Sequence, residues 1–204
     1  MSGKSAFDYD RQWYIVGRWQ DYVGENRANV LRVTTIAVFY ILQLVQYHVL
    51  QLADQRDPAF HRAATALAVL GLFVSLAVHL CLHRHIFPAA LKYLSVATDV
   101  LLVTCLAAVG SGPHSPLRLA FFLIIAMAAL RSSVTLVWCA TLGTMIGYLV
   151  TVGFADKSWF DSEHVVRPIE QLMTLATLSL TGIVIGQVVR RSRIMAEDFQ
   201  KRVQ

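Results

Sequence analysis

Six apolar stretches alternate with short polar ones along the chain. They run roughly over 30–52, 62–82, 90–109, 116–131, 133–154 and 168–189, each close to the ~20 residues that a bilayer-spanning helix needs. The fourth is short and spans with little tilt. "HRHIFP" separates the second stretch from the third, and Pro88 supplies the break. Only "RSS" at 131–133 separates the fourth from the fifth, so that hairpin is tight. The pattern predicts an all-α polytopic membrane protein with six transmembrane helices.

The flanks carry a different pattern. In "FDYDRQWYIVGRWQDYVGENR" (7–27), Trp13, Val16, Trp19 and Val23 recur at helical spacing, while Arg11, Arg18 and Asp21 lie elsewhere on the surface. Such an N-terminal interfacial helix lies along the cytoplasmic face with its indoles at headgroup depth. An ordered cap packed on the bundle fits the same spacing. "VVRRSRIMAEDFQKRVQ" continues the sixth stretch, with Ile194, Phe199 and Val203 near one face. That favours a coiled-coil stub over a short solvated tail. The expected organisation is an amphipathic cytoplasmic segment at 1–29, a six-helix membrane domain at 30–189 and a cytoplasmic helical extension at 190–204.

Composition agrees with a membrane domain. The chain has 204 residues, 56% of them hydrophobic and 15% charged, against roughly 45–50% and about 25% in soluble domains. Residues 1–28 contain no apolar core of the signal-peptide kind. Cys81, Cys105 and Cys139 sit in apolar runs without CxxC spacing and read as small buried residues. The net charge of +5 does not suggest nucleic acid; its distribution is what matters. Basic residues gather in the N-terminal tail (Lys4, Arg11, Arg18, Arg27, Arg32), the second and fourth loops (Arg84, Lys92, Arg131) and the C-terminal end (Arg190, Arg191, Arg193, Lys201, Arg202). The alternate loops mix signs. The positive-inside rule then places both termini in the cytoplasm of a bacterial-type inner membrane, with "GSGPHSP" facing out.

Polar residues inside apolar stretches are candidates for function. Asp99 lies a third to half way into the third span. A bare carboxylate there has to be neutralised or paired, and Thr98, Thr104 and the Gln-bearing first span are its expected neighbours. Gln43, Tyr47 and Gln51 follow i, i+4, i+8, one stripe facing the bundle interior, which Tyr40 extends inward. His79 and His83 have metal-ligand spacing but no carboxylate or Cys partner, and read as a snorkelling helix end. His48 and His61 flank one outer loop and make a bis-His haem b site the alternative cofactor reading. No P-loop, HExxH or GxGxxG occurs. The "GSG" at 110–112 lacks the late-span His that a rhomboid protease needs. No enzymatic activity is expected.

The stretch "LKYLSVATDVLLVTCLAAVGSGPHSPLRLAFFLIIAMAALRSS" (91–133) resembles the membrane input region of sensor histidine kinases of the RegB/PrrB type and their PilS-like relatives. There, an Asp-bearing span leads into a short outer loop of the form GGxxNPF, and the next span ends in a basic turn. Here Gly112, the two intervening residues and Pro116 match, while Ser111, Ser115 and Leu117 replace Gly, Asn and Phe. The resemblance implies a redox-sensing site for quinone near this loop, built from Gly112, His114 and Pro116 with Gln43 and Tyr47. The six-span plan followed by an amphipathic helix also resembles the membrane anchors of class III adenylyl cyclases. Together these imply a sensory, dimerising input module, a homodimer or larger assembly in the lipid bilayer, with a cytoplasmic kinase or cyclase output domain as its partner. A haem b-type electron-transfer subunit and a structural subunit of a larger membrane complex are the alternatives.

Overall fold

The computed structural model describes residues 3–48, 58–84, 90–110, 115–155 and 166–203; side chains are described over 22–48, 58–84, 90–110, 115–154 and 166–196 and at 198. Helix α1 covers Gly3–His48, α2 Pro58–His83, α3 Leu91–Val109, α4 Leu119–Leu130, α5 Val134–Ala155 and α6 Pro168–Val203. A 3-10 turn, Pro116–Arg118, leads directly into α4. Among the described residues the protein is all-helical. Five helical segments are long and apolar enough to cross a membrane: Tyr22–His48, Pro58–His83, Leu91–Val109, Val134–Phe154 and Pro168–Ala196.

α5 is the centre of the bundle. Half of its apolar window is buried, against 17% for α1. It packs against α3, α4 and α6, while α1 packs on α2 and α4 and α2 closes onto α3. Leu136, Val137, Ala140 and Val152 of α5 meet Phe121, Ile124, Ile125 and Ala128 of α4, together with Leu178 of α6. α5 brings three threonines into this core. Each hydroxyl is satisfied locally, Thr141 donating to the Val137 carbonyl, Thr144 to that of Thr141 and Thr151 to that of Gly147. Gly182 of α6 lies against Thr141, in a gap that a Cβ would fill. Small residues are what allow close helix approach where lipid is as apolar as the protein.

α4 is the short apolar segment. With its 3-10 turn it covers Pro116–Leu130, roughly 24 Å at ~2.0 and ~1.5 Å per residue, a little less than the ~30 Å hydrocarbon core. It ends at the tight turn expected at 131–133. Arg131 and Ser132 donate their N–H groups to the carbonyls of Ala128 and Ala129, and Ser132 adopts the left-handed region at φ 49°. A carbon side chain in that region costs roughly 1–2 kcal/mol, so the turn is held by what surrounds it.

α1 runs unbroken from Gly3 through the expected 29/30 boundary. Two expectations need correction. Arg32 and Arg131, counted above as loop charges, are buried. Cys139 is exposed on the outer surface of the bundle, and Cys81 and Cys105 are half-buried. The side chains of Trp13, Val16, Trp19, Phe199 and Val203 lie outside the described residues, as do Gln51, His85, His164 and 111–114.

Candidate functional site

Two places in the bundle stand out as candidate sites. The first is a closed cluster of charges. α1 presents Glu25, Asn29 and Arg32 at i, i+4 and i+7, one face of the helix. α3 presents Ser95 and Asp99 at i, i+4. The turn after α4 supplies Arg131. All six are buried, with Glu25 at 0% and Arg32 at 3% exposure.

Arg32 grips Asp99 with two prongs, Nε donating to Oδ1 at 2.6 Å and Nη2 to Oδ2 at 2.7 Å. Arg131 grips Glu25 in the same way, Nε to Oε2 at 2.6 Å and Nη2 to Oε1 at 2.9 Å. Ser95 joins the two pairs. Its hydroxyl accepts from Nη2 of Arg32 and from Nη2 of Arg131 (2.7 Å) and donates to Glu25 Oε1 (3.1 Å), which uses its whole capacity of one donor and two acceptor positions. Arg32 Nη1 donates to Asn29 Oδ1 at 3.0 Å, and Asn29 Nδ2 donates to the Ser75 carbonyl of α2 at 3.1 Å. Two guanidinium groups thus face two carboxylates, formally balanced, in fork-to-fork geometry. Arg131 Nη1 and Ser75 Oγ are buried without a partner. Gly24 permits the approach: a Cβ there would lie 3.0 Å from the Leu130 carbonyl oxygen and 3.1 Å from Arg131 Cα.

Asp99 is therefore buried and paired with Arg32 of the first span, while the two threonines expected beside it bond elsewhere. Thr98 and Thr104 spend their hydroxyls on the Leu94 and Val100 carbonyls of their own helix. The partner, Arg32, was missed because it counts above with the charges of the N-terminal tail. The spacing of Glu25, Asn29 and Arg32 was the available signal, since three polar residues on one face at the mouth of an apolar run mark an inward-facing edge.

The second place is a cavity of about 140 Å³ where α1, α2, α3 and the start of α4 meet. It begins one turn beyond the Arg32–Asp99 pair. Ile36, Tyr40 and Gln43 of α1 face Phe60 and Ala64 of α2 and Leu117 beside Pro116. The lining is almost wholly apolar. Tyr40 Oη lies 3.3 Å from Thr65 Oγ1, whose hydroxyl donates to the His61 carbonyl at 2.8 Å. Among the lining side chains, Thr35, Tyr40 and Gln43 carry both a donor and an acceptor. An apolar cavity of about 150 Å³ takes a benzene-sized ring, so this volume suits one ring or a short length of chain. It is below the ~300–1,000 Å³ that encloses a drug-sized ligand.

The structure brings Gln43 and Leu117, just after the "GSGPHSP" stretch, to one cavity. Pro116 is exposed, at the first position of the 3-10 turn, with Ser115 capping it by accepting from the Leu117 N–H at 3.2 Å. Gly112 and His114 lie outside the described residues. Tyr47 lies one turn beyond the cavity and stacks on His61 with ring centroids 4.2 Å apart. The rings of His48 and His61 are 5.9 Å apart and nearly perpendicular. Tyr47 lies 4.9 Å from the first and 4.2 Å from the second. His79 and His83 are exposed, and no metal-binding group of three or more His, Cys, Asp or Glu side chains forms among the described residues.

Fold and site together define a multi-pass helical membrane protein with a charge cluster and a small apolar cavity on one seam. No protein-family model, curated protein or solved structure matches the chain.

Proposed function

We propose that the chain is a membrane-embedded sensory input module, with Pro116–Leu130 as the sixth, shortest span beside the five long ones, the helix before Tyr22 at the membrane interface and both termini in the cytoplasm. A lipid-soluble ligand with a single-ring head, of the quinone class, enters the cavity between α1, α2 and α3. Its carbonyl takes a hydrogen bond from Gln43 or Tyr40. Occupation shifts helix packing, and α6, continuous from Pro168 to Val203, carries the shift out of the membrane as one half of a homodimer. The observation that carries this reading is the cavity, which joins Gln43 of the first-span polar stripe to Leu117, just after the "GSGPHSP" stretch.

The test is titration of the detergent-purified protein with a short-chain ubiquinone analogue. Saturable binding is expected for wild type. Gln43→Leu removes a hydrogen bond worth roughly 1–1.5 kcal/mol and should weaken binding about tenfold. His114→Ala should act similarly, and Ala64→Phe should abolish binding by filling the cavity. No saturable binding to wild type, or equal affinity in all three variants, removes the quinone reading.

A further inference from the structure

We propose that the pairs Glu25–Arg131 and Arg32–Asp99, joined through Ser95, form a latch that sets the position of α1, and that the arm of α1 before Tyr22 is the element moved when the latch opens. The inference rests on the cluster and not on the identity of any ligand.

Four observations carry it. First, α1 is the least embedded of the five long apolar helices, with Val30, Val38, Ile41 and Leu42 all at least half exposed. In a bilayer those side chains gain nearly as much from lipid as from protein, so apolar contact holds such a helix weakly and polar contacts supply the specific hold. Second, that hold is concentrated. Glu25, Asn29 and Arg32 lie within two turns, and together they reach α2, α3 and the α4–α5 turn. A small slide or rotation of α1 loosens every one of these bonds at once. Third, the cluster is not fully satisfied. Both arginines and Glu25 share the Ser95 hydroxyl, and Arg131 Nη1 is left without an acceptor. Buried ion pairs contribute little net stability compared with apolar packing, and their best-attested use is to set register or a switch. Fourth, the cavity lies on the same seam, with Ile36 one turn beyond Arg32 and Leu102 and Val103 one turn beyond Asp99. A group entering there wedges α1 at the point where the latch begins. Because α1 is a single helix from Gly3 to His48, a displacement at 25–32 reaches its amino-terminal arm.

The experiment places spin labels at Ser5→Cys on α1 and Ser192→Cys on α6. The full chain, with Cys81, Cys105 and Cys139 replaced by Ala, is reconstituted in lipid nanodiscs, and the interlabel distance is read by pulsed EPR. The latch predicts one narrow distance for the parent. Ser95→Ala, which unlinks the pairs without stranding a charge, and Glu25→Gln should each add a second population displaced by roughly one helical turn, ~5 Å. The exchange Glu25→Arg with Arg131→Glu should return the distribution towards the parent. If Glu25→Gln does not fold, Ser95→Ala decides alone. A distribution that Ser95→Ala leaves unchanged overturns the latch, as does an exchange variant that folds but stays as broad as Glu25→Gln.

Discussion

Asp99 shows how one carboxylate is tolerated in an apolar helix. It receives two short bonds from Arg32, itself supported by Ser95 and Asn29. The consequence for substitution differs from that of a neutral buried acid. Asp99→Asn preserves shape but leaves the Arg32 charge uncompensated, and removing one partner of a buried pair costs roughly 3–5 kcal/mol. The expected result is a large loss of stability in detergent unfolding curves. The double variant Asp99→Leu with Arg32→Met removes both charges and should recover most of that loss, because an apolar pair of similar volume is often neutral or stabilising. A single Asp99→Asn variant as stable as wild type would contradict the ion pair. Glu25 and Arg131 should follow the same rule.

At the level of the helices, the tight turn and its neighbour α1 constrain each other. Ser132 holds φ 49°, a region glycine occupies without strain. Ser132→Gly should therefore raise stability by up to ~1 kcal/mol, seen as a higher midpoint. Gly24 has the opposite demand. Its missing side chain seats α1 against Leu130 and Arg131, so Gly24→Leu forces the backbones apart at a cost of roughly 1–3 kcal/mol. A control is Gly186→Ala in α6, where the added methyl meets nothing within 4 Å and helix propensity alone should improve by up to ~1 kcal/mol. Loss of stability in Gly186→Ala comparable to Gly24→Leu would show that crowding at Gly24 is not the cause.

For the molecule as a whole, burying Arg32 and Arg131 removes two charges from the orientation signal. Lys4, Arg11, Arg18, Arg27, Arg84, Lys92 and the C-terminal arginines still lie on one side of the alternation, so the positive-inside rule still predicts the same orientation. In a cysteine-free background, Ser158→Cys should react with an impermeant thiol reagent from outside the cell, and Ser192→Cys should react only after permeabilisation. The reverse labelling would invert the assignment, place the charge cluster at the outer end, and overturn the cytoplasmic exit through α6.

The helices were legible in the sequence because apolar length is a local property. Stretches of ~20 apolar residues broken by Pro88 and by "RSS" have one economical reading in a bilayer, and the observed ends of α2, α3 and α5 lie within a few residues of it. Gln43 was legible too, since a polar stripe at helical spacing has to turn inward. What the sequence left open was the sign and place of each charge. Glu25 and Arg131 stand beside polar or loop residues, where a charge normally meets water, and Arg32 stands two residues into the first apolar stretch. Only the folded bundle, in which Arg32 of α1 reaches α3 and Glu25 reaches the α4–α5 turn, brings opposite charges from positions 67 and 106 residues apart within bonding distance. That proximity offsets the cost of burying them. Covalent order fixes which residues are apolar; which charges are neutralised is a property of distances between helices, and those exist only in the folded chain.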